Sequence, residues 1–164
     1  MINTNAKQIY VDPLIPAEQQ IAFLRQSAIN FKFTVYQALK DRMGNEGIEI
    51  FKSVWRQIVQ QGLKTIKEKN FEEIKRLAGL QDRVFGFHVE QDYAKTDEFQ
   101  YSITYCPYLE ASNLMGMNMD LCNLIEEVEM EEVSKNLGEM TEPTRMCHGD
   151  SKCTIRVRNT LGRR

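Results

Sequence analysis

No stretch of the chain approaches the ~20 consecutive apolar residues that a membrane-crossing helix needs, so no membrane contact is expected. Neither sign of charge is in excess: 21 Lys+Arg stand against 23 Asp+Glu, which removes the basic footprint of a nucleic-acid binder. Residues 1–8 are polar and lack the apolar core of a secretion signal, so a cytoplasmic location is expected. There is no Gly-x-Gly-x-x-Gly fingerprint, no Gly-x-Ser-x-Gly elbow and no His-Glu-x-x-His pair, which sets aside large enzyme classes. No internal repeat or low-complexity linker divides the 164 residues, a length that suits one domain able to bury roughly 70% of its unfolded surface. We therefore expect one domain over residues 1–164, helical over 1–80 and cysteine-bearing over 81–164.

Cysteine is missing from the first 105 residues, yet four follow: Cys106, Cys122, Cys147 and Cys153. In a reducing compartment such thiols are more often ligands, nucleophiles or buried core groups than disulfides.

The chain opens with helical spacing. Ile21, Leu24, Ala28, Phe31, Val35 and Leu39 recur at three- and four-residue steps between Pro16 and Arg42, and Met43-Gly44-Asn45 ends that helix. A second helix runs from about Glu46 to Lys69, with a stripe of Ile48, Phe51, Val54, Trp55, Ile58, Val59, Leu63 and Ile66. Lys64, Lys67 and Lys69 suit its C-terminal dipole. Gly62 inside this helix costs about 1 kcal/mol of propensity, which suggests close packing there. A short helix from Phe71 to Leu77 stops at Gly79.

The period then falls to two. Phe85, Phe87 and Val89 alternate within Val84–Glu90, and Phe99, Tyr101, Ile103 and Tyr105 within Phe99–Tyr105. This predicts an antiparallel hairpin joined by a polar link over 92–98 and closed by Cys106-Pro107. Helical spacing returns over Pro107–Leu114 and Asn118–Leu137. Two short strands follow, around Thr141–His148 and Lys152–Arg158, before a C-terminal tail, Gly162-Arg163-Arg164. The fold class is α+β, with N-terminal helices packed on an antiparallel sheet and further helices inserted between two hairpins. Phe85, Phe87, Val89, Tyr101, Ile103, Ile155 and Val157 are expected to share one core against the second helix.

The cysteines lie at a strand end, on a helix and on either side of the turn His148-Gly149-Asp150-Ser151. Four thiolates could hold zinc, or as an alternative an iron–sulfur cluster. The spacing also suits unrelated core thiols or a reactive thiol. With a shared metal, at least three sulfurs would surround one centre. Cys147-His148-Gly149-Asp150 concentrates thiol, imidazole and carboxylate, so Asp150 or His148 could be an acid–base group; a plain turn is the other reading. Glu126, Glu127, Glu129, Glu131 and Glu132 read mainly as a solvated helix face. Glu126 stands four residues after Cys122 and is a further ligand or base candidate. His88 and Trp55 read as packing residues.

The segment from Cys106 to Val157 carries a pattern: Cys-Pro-Tyr-Leu-Glu, Met-Gly, Asp-Leu-Cys, an acidic helix, then Gly-Asp-x-x-Cys before an alternating strand. It resembles the L-2-amino-thiazoline-4-carboxylic acid hydrolase family and is more distantly similar to 4-vinyl reductase-type sensor domains. The resemblance implies a ligand site between sheet and helices, lined by Cys106, Cys122, Asp150 and Cys153. It implies water addition to a cyclic amidine that opens a thiazoline ring. The sensor relatives imply a cysteine-bound metal and an apolar effector pocket, here Phe85, Phe87, Tyr101 and Tyr105. Cys147 stands closer to Cys153 than the cysteine pair of those sensors. Three functions follow as expectations: a hydrolase acting on a small-molecule substrate, a ligand-binding module with structural zinc, and an iron–sulfur electron carrier.

Overall fold

The computed structural model describes residues 15–66 and 70–160. The expectations that fall on residues 1–8, Lys67, Lys69 and 162–164, and on the side chain of Ile66, lie outside the described residues. Two long helices come first, α1 (Ala17–Met43) and α2 (Asn45–Ile66), separated only by Gly44. Gly44 has φ +59°, and its N–H donates to Lys40 O at 2.8 Å, which ends α1. Short helices α3 (Phe71–Leu77) and α4 (Leu80–Val84) lead into strands β1 (His88–Ala94) and β2 (Glu98–Tyr105). Helices α5 (Pro107–Met115) and α6 (Asp120–Asn136) then precede β3 (Glu139–Thr144) and β4 (Cys153–Arg158). The sheet is antiparallel throughout, in the order β1-β2-β4-β3, so two hairpins meet along β2 and β4. The α+β architecture is as expected.

The core has two parts. Ile29, Phe33 and Tyr36 of α1 meet Phe51 and Trp55 of α2, Tyr108 and Ala111 of α5, and Leu121, Leu124, Ile125 and Val128 of α6. The second part is the inner sheet face, where Phe99, Ile103, Cys153, Ile155 and Val157 are buried. The register pairs Phe99 with Val157, Tyr101 with Ile155 and Ile103 with Cys153, so their side chains share that face. Phe71, Ile74 and Ala78 cover it, and Phe87 packs against both parts.

Several expectations are corrected. The inward face of α1 is Ile29, Phe33 and Tyr36, while Ile21, Leu24 and Phe31 are exposed; only Val35 and Leu39 of the expected stripe reach the core. Val54 and Ile58 of the α2 stripe are also exposed. The first strand begins at His88 rather than Val84, because α4 extends to Val84 and Gly86 turns the chain at φ +94°. Phe85 is therefore off the sheet, 4.8 Å from the Lys32 ammonium. The sheet core is covered by α3 rather than packed directly on α2. The strand expected over Thr141–His148 ends at Thr144 and gives way to a 3₁₀ turn, Met146–His148.

The close glycine contact belongs to Gly47, not Gly62. A Cβ on Gly47 would sit 2.2 Å from Leu39 O, whereas one on Gly62 would meet nothing within 4 Å. Gly62→Ala is accordingly expected to raise stability by about 0.4–1 kcal/mol, and Gly47→Ala to lower it, since the clash is with backbone that cannot rotate away. Urea melts of the two variants check this, and equal effects would refute it.

Candidate active site

Four polar links fix the rotation of α6. Lys40 pairs with Asp120 at 2.6 Å, Lys52 with Glu127 at 2.6 Å and Arg56 with Glu131 at 2.8 Å, and Gln60 donates to Glu132 at 3.0 Å. Partly exposed pairs of this kind add little stability each. Together they hold Glu127 and Glu131 against α2. Cys122, Glu126 and Glu129, at positions i, i+4 and i+7, then share the opposite, inward side.

That side faces a chamber of about 80 Å³ between α6 and the sheet. Its lining includes Cys106 at the start of α5, Cys122, Glu126 and Glu129 on α6, Glu142 on β3 and Cys153 on β4. Asp82, Tyr101, Tyr108, Trp55 and Lys32 complete the polar part. All four cysteines are free thiols.

Charge in the chamber is acidic and only partly compensated. Burial, reinforced by the Asp82 charge, pushes the Glu129 carboxyl up to about 7. Burial also lifts Asp82, against a hydrogen bond from Tyr101. Burial and the neighbouring Glu126 carboxylate raise Glu142, which keeps its proton where an ordinary carboxyl has lost it. Arg145 answers this pair, with Nη1 3.2 Å from Glu126 Oε2 and Nε 3.1 Å from Glu142 Oε2. Those two buried oxygens form no well-directed hydrogen bond, so the Arg145 charge acts on them by proximity. The Lys32 ammonium donates to Tyr108 Oη at 2.6 Å and lies 4.6 Å from the Trp55 ring centroid; burial lowers its pKa.

The thiols are held protonated. Burial pushes Cys106 up to about 11 and Cys153 up to about 12. Cys122 goes higher still through burial and the Glu126 charge, and its thiol donates to Glu126 Oε1 at 3.1 Å. Met146 N–H donates to Cys153 Sγ at 3.3 Å.

A family model described as L-2-amino-thiazoline-4-carboxylic acid hydrolase matches residues 23–157. This chain belongs to that family. The match runs from α1 into β4 and covers every chamber residue named above. No curated protein and no solved structure matches the chain. Membership in the hydrolase family points to hydrolytic chemistry on a small molecule, and no helix among the described residues is long and apolar enough to cross a membrane.

In this hydrolase-family chain, the anticipated site residues fall in three places. Cys106, Cys122, Cys153 and Glu126 wall the chamber. Cys147 is half-buried and outside the lining, although its Sγ lies within 4.8 Å of ligand atoms on Cys122 and Glu126. Asp150 and His148 are exposed on the turn before β4, where His148 Nε2 is 2.9 Å from Asn123 Oδ1. Two metal-competent groups exist among the described residues, Cys122–Glu126–Cys147 and Glu126–Glu142–Cys153. No such group contains three cysteines, and Cys106 belongs to neither. Two thiols and a carboxylate match zinc's preferred donors with a coordination position to spare. The second group fits less well, since Arg145 already pairs with both of its carboxyls.

Asp150 closes the turn. Its Oδ2 accepts the Arg145 N–H at 2.7 Å, and its own N–H donates to Arg145 O at 3.2 Å. It thus reaches the chamber only through Arg145. Asp150→Ala is expected to cost about 1 kcal/mol of stability, while Asp150→Asn keeps most of the turnover per folded molecule. Melting and turnover on one preparation test this: a hundredfold loss in Asp150→Asn at unchanged melting temperature would make its carboxylate an acid–base group instead.

Lys32, Asp82, Glu129, Glu142 and Arg145 were not singled out from sequence. For Glu129 a signal existed, the i+7 step from Cys122. The others come from separate elements, and only the tertiary fold brings them together.

Proposed function

We propose that the chain opens the ring of a small cyclic amidine by adding water across a C–N bond, with Glu129 moving the proton. The observation that carries this reading is a carboxyl poised near neutrality inside an acid-rich chamber. A cyclic amidine is cationic when protonated, so Asp82 and Glu129 suit its charged head. Lys32 is the lining cation available to a substrate carboxylate such as the one in the family's name. Hydrolysis needs a base when water attacks and an acid when the ring nitrogen leaves. Ionised Glu129 takes a proton from water as oxygen bonds to the amidine carbon. The resulting carboxylic acid returns that proton to the ring nitrogen as the C–N bond breaks, and the hydroxyl proton of the adduct passes through the regenerated carboxylate to the freed amine as the carbonyl forms, so no net proton is consumed. A group titrating at about 7 serves both steps. Thiols held protonated are poor nucleophiles, which favours direct attack by water over a thioester route.

Cys122, Cys147 and Glu126 are the residues that would hold a zinc ion. When bound, zinc would supply Lewis-acid polarisation and a more acidic water. Carboxylates interleaved among the thiols favour such an ion over an all-sulfur cluster. Zinc content measured after anaerobic purification should fall in Cys122→Ser and persist in Cys106→Ser; equal loss in both would reject this ligand set.

The test of the function is direct. Purified protein is incubated with 2-amino-thiazoline-4-carboxylate, and ring opening is followed by loss of the ring chromophore. Turnover above the uncatalysed rate is expected, and its absence with both zinc-loaded and metal-free protein would overturn the proposal.

A further inference from the structure

A larger pouch, about 300 Å³ and open to solvent beside the exposed Ile58 and Gly62, adjoins Glu129 between α2, α3 and α6. Its wall is mainly aliphatic, with Ile58, Val59 and Leu63 from α2, Leu77 from α3, and Val133 and Leu137 from α6. The two cavities are continuous in their lining. Trp55, Asp82, Tyr101 and Glu129 belong to both, so the carboxyls assigned to the amidine head stand at the junction.

This pouch has about twice the volume of the ~150 Å³ apolar cavity known to take up benzene. It is far larger than a bare five-membered ring requires, and the polar chamber beside it is too small for an additional apolar group. A ligand that fills both must be polar at one end and apolar at the other. We infer that the amidine received here bears an apolar substituent of up to about six carbons, seated in the pouch while its cationic head meets Asp82 and Glu129. The inference rests on the amidine reading above and names the substrate class within it.

Chain length provides the test. S-methyl-, S-butyl- and S-hexylisothiouronium salts carry the same cationic head on tails of increasing length. Their dissociation constants are measured by calorimetry on the full chain. Each methylene entering the pouch should tighten binding about fourfold. Gly62 lies in the pouch lining where an added side chain has open space, and Val133 faces the pouch from α6. Gly62→Phe and Val133→Phe should therefore shrink the gain per methylene towards onefold. Binding of the methyl salt with a flat series would overturn the substituent and leave the amidine reading standing. A gain that persists in both variants would place the tail elsewhere and also overturn it. No binding by any member would remove the amidine reading, and this inference with it. The wild-type series decides the matter even where a variant fails to fold.

Discussion

Glu129→Gln is expected to reduce ring opening by about 10²–10⁴-fold, the usual worth of a positioned acid–base group. Glutamine keeps the shape of the side chain and cannot carry the proton. Wild-type kcat/KM should rise with pH through about 7 as Glu129 ionises, and this limb should vanish in the variant. Stability moves the opposite way. The folded protein holds the Glu129 proton more tightly than the unfolded chain does, because burial raises the carboxyl from an ordinary value of 4.5 to about 7. The stability this proton contributes is fully present below about 4.5 and is lost as pH rises through 7. Glutamine cannot ionise, so above neutrality the variant should be the more stable protein, by a margin on the order of 3 kcal/mol. A variant that loses activity while gaining alkaline stability cannot be explained by misfolding. Unchanged turnover, or a pH limb that survives the substitution, would move the proton-transfer role to another carboxyl of the chamber, with Glu142 the next to replace.

Much of the architecture was legible because helical and strand periods are local. α3 carries the expected bounds, and α2, α5 and α6 lie close to theirs. α1 shows where period alone falls short. Its apolar residues cover two faces, and both obey the 3.6 spacing; only packing against α2 and α5 selects Ile29, Phe33 and Tyr36. β1 was shifted for a different reason. As an edge strand it is mostly exposed, so Asp92, Tyr93 and Ala94 read as part of a polar link, although Tyr93 and Ala94 pair with Gln100 and Phe99 and the Asp92 side chain accepts from Gln100. β3 is the other edge, which is how it accommodates Pro143.

The chamber was half legible. Thiol clustering in the C-terminal part pointed to Cys106, Cys122 and Cys153, which do wall one cavity. The acidic run on α6 concealed its function. Glu126 and Glu129 turn inward to the chamber, while Glu132, only 2% exposed, is buried against Gln60 and Arg56 of α2. Composition cannot separate them from Glu127 and Glu131, which are held by Lys52 and Arg56 across the helix interface. Arg145 was invisible for the same reason: an arginine before a turn is ordinary until the fold sets it against two buried carboxyls.

Those two carboxyls make Arg145→Met the largest expected change in stability. The Arg145 side chain is 18% exposed, and its guanidinium holds Glu126 at 3.2 Å and Glu142 at 3.1 Å, with Nη2 also 3.6 Å from Met130 Sδ. Methionine preserves much of the aliphatic stem and removes the charge. Breaking a buried pair from one side leaves the other side uncompensated, which costs about 3–5 kcal/mol. The cost should depend on pH in a defined direction. In the wild type, burial and the Glu126 charge already raise Glu142 to about 8, and without the cation it binds its proton still more tightly, so the two proteins lose this contribution at different pH only above about 8. The gap between wild type and variant should therefore be constant through neutrality and widen as pH rises beyond about 8. Adding Glu142→Gln to Arg145→Met should recover part of the loss, since it removes one member of the uncompensated pair. Urea unfolding of the two single variants and the double variant at neutral and alkaline pH measures both effects. If Arg145 acted only through the packing of its stem, the deficit would be the same at each pH and the second substitution would add its own cost.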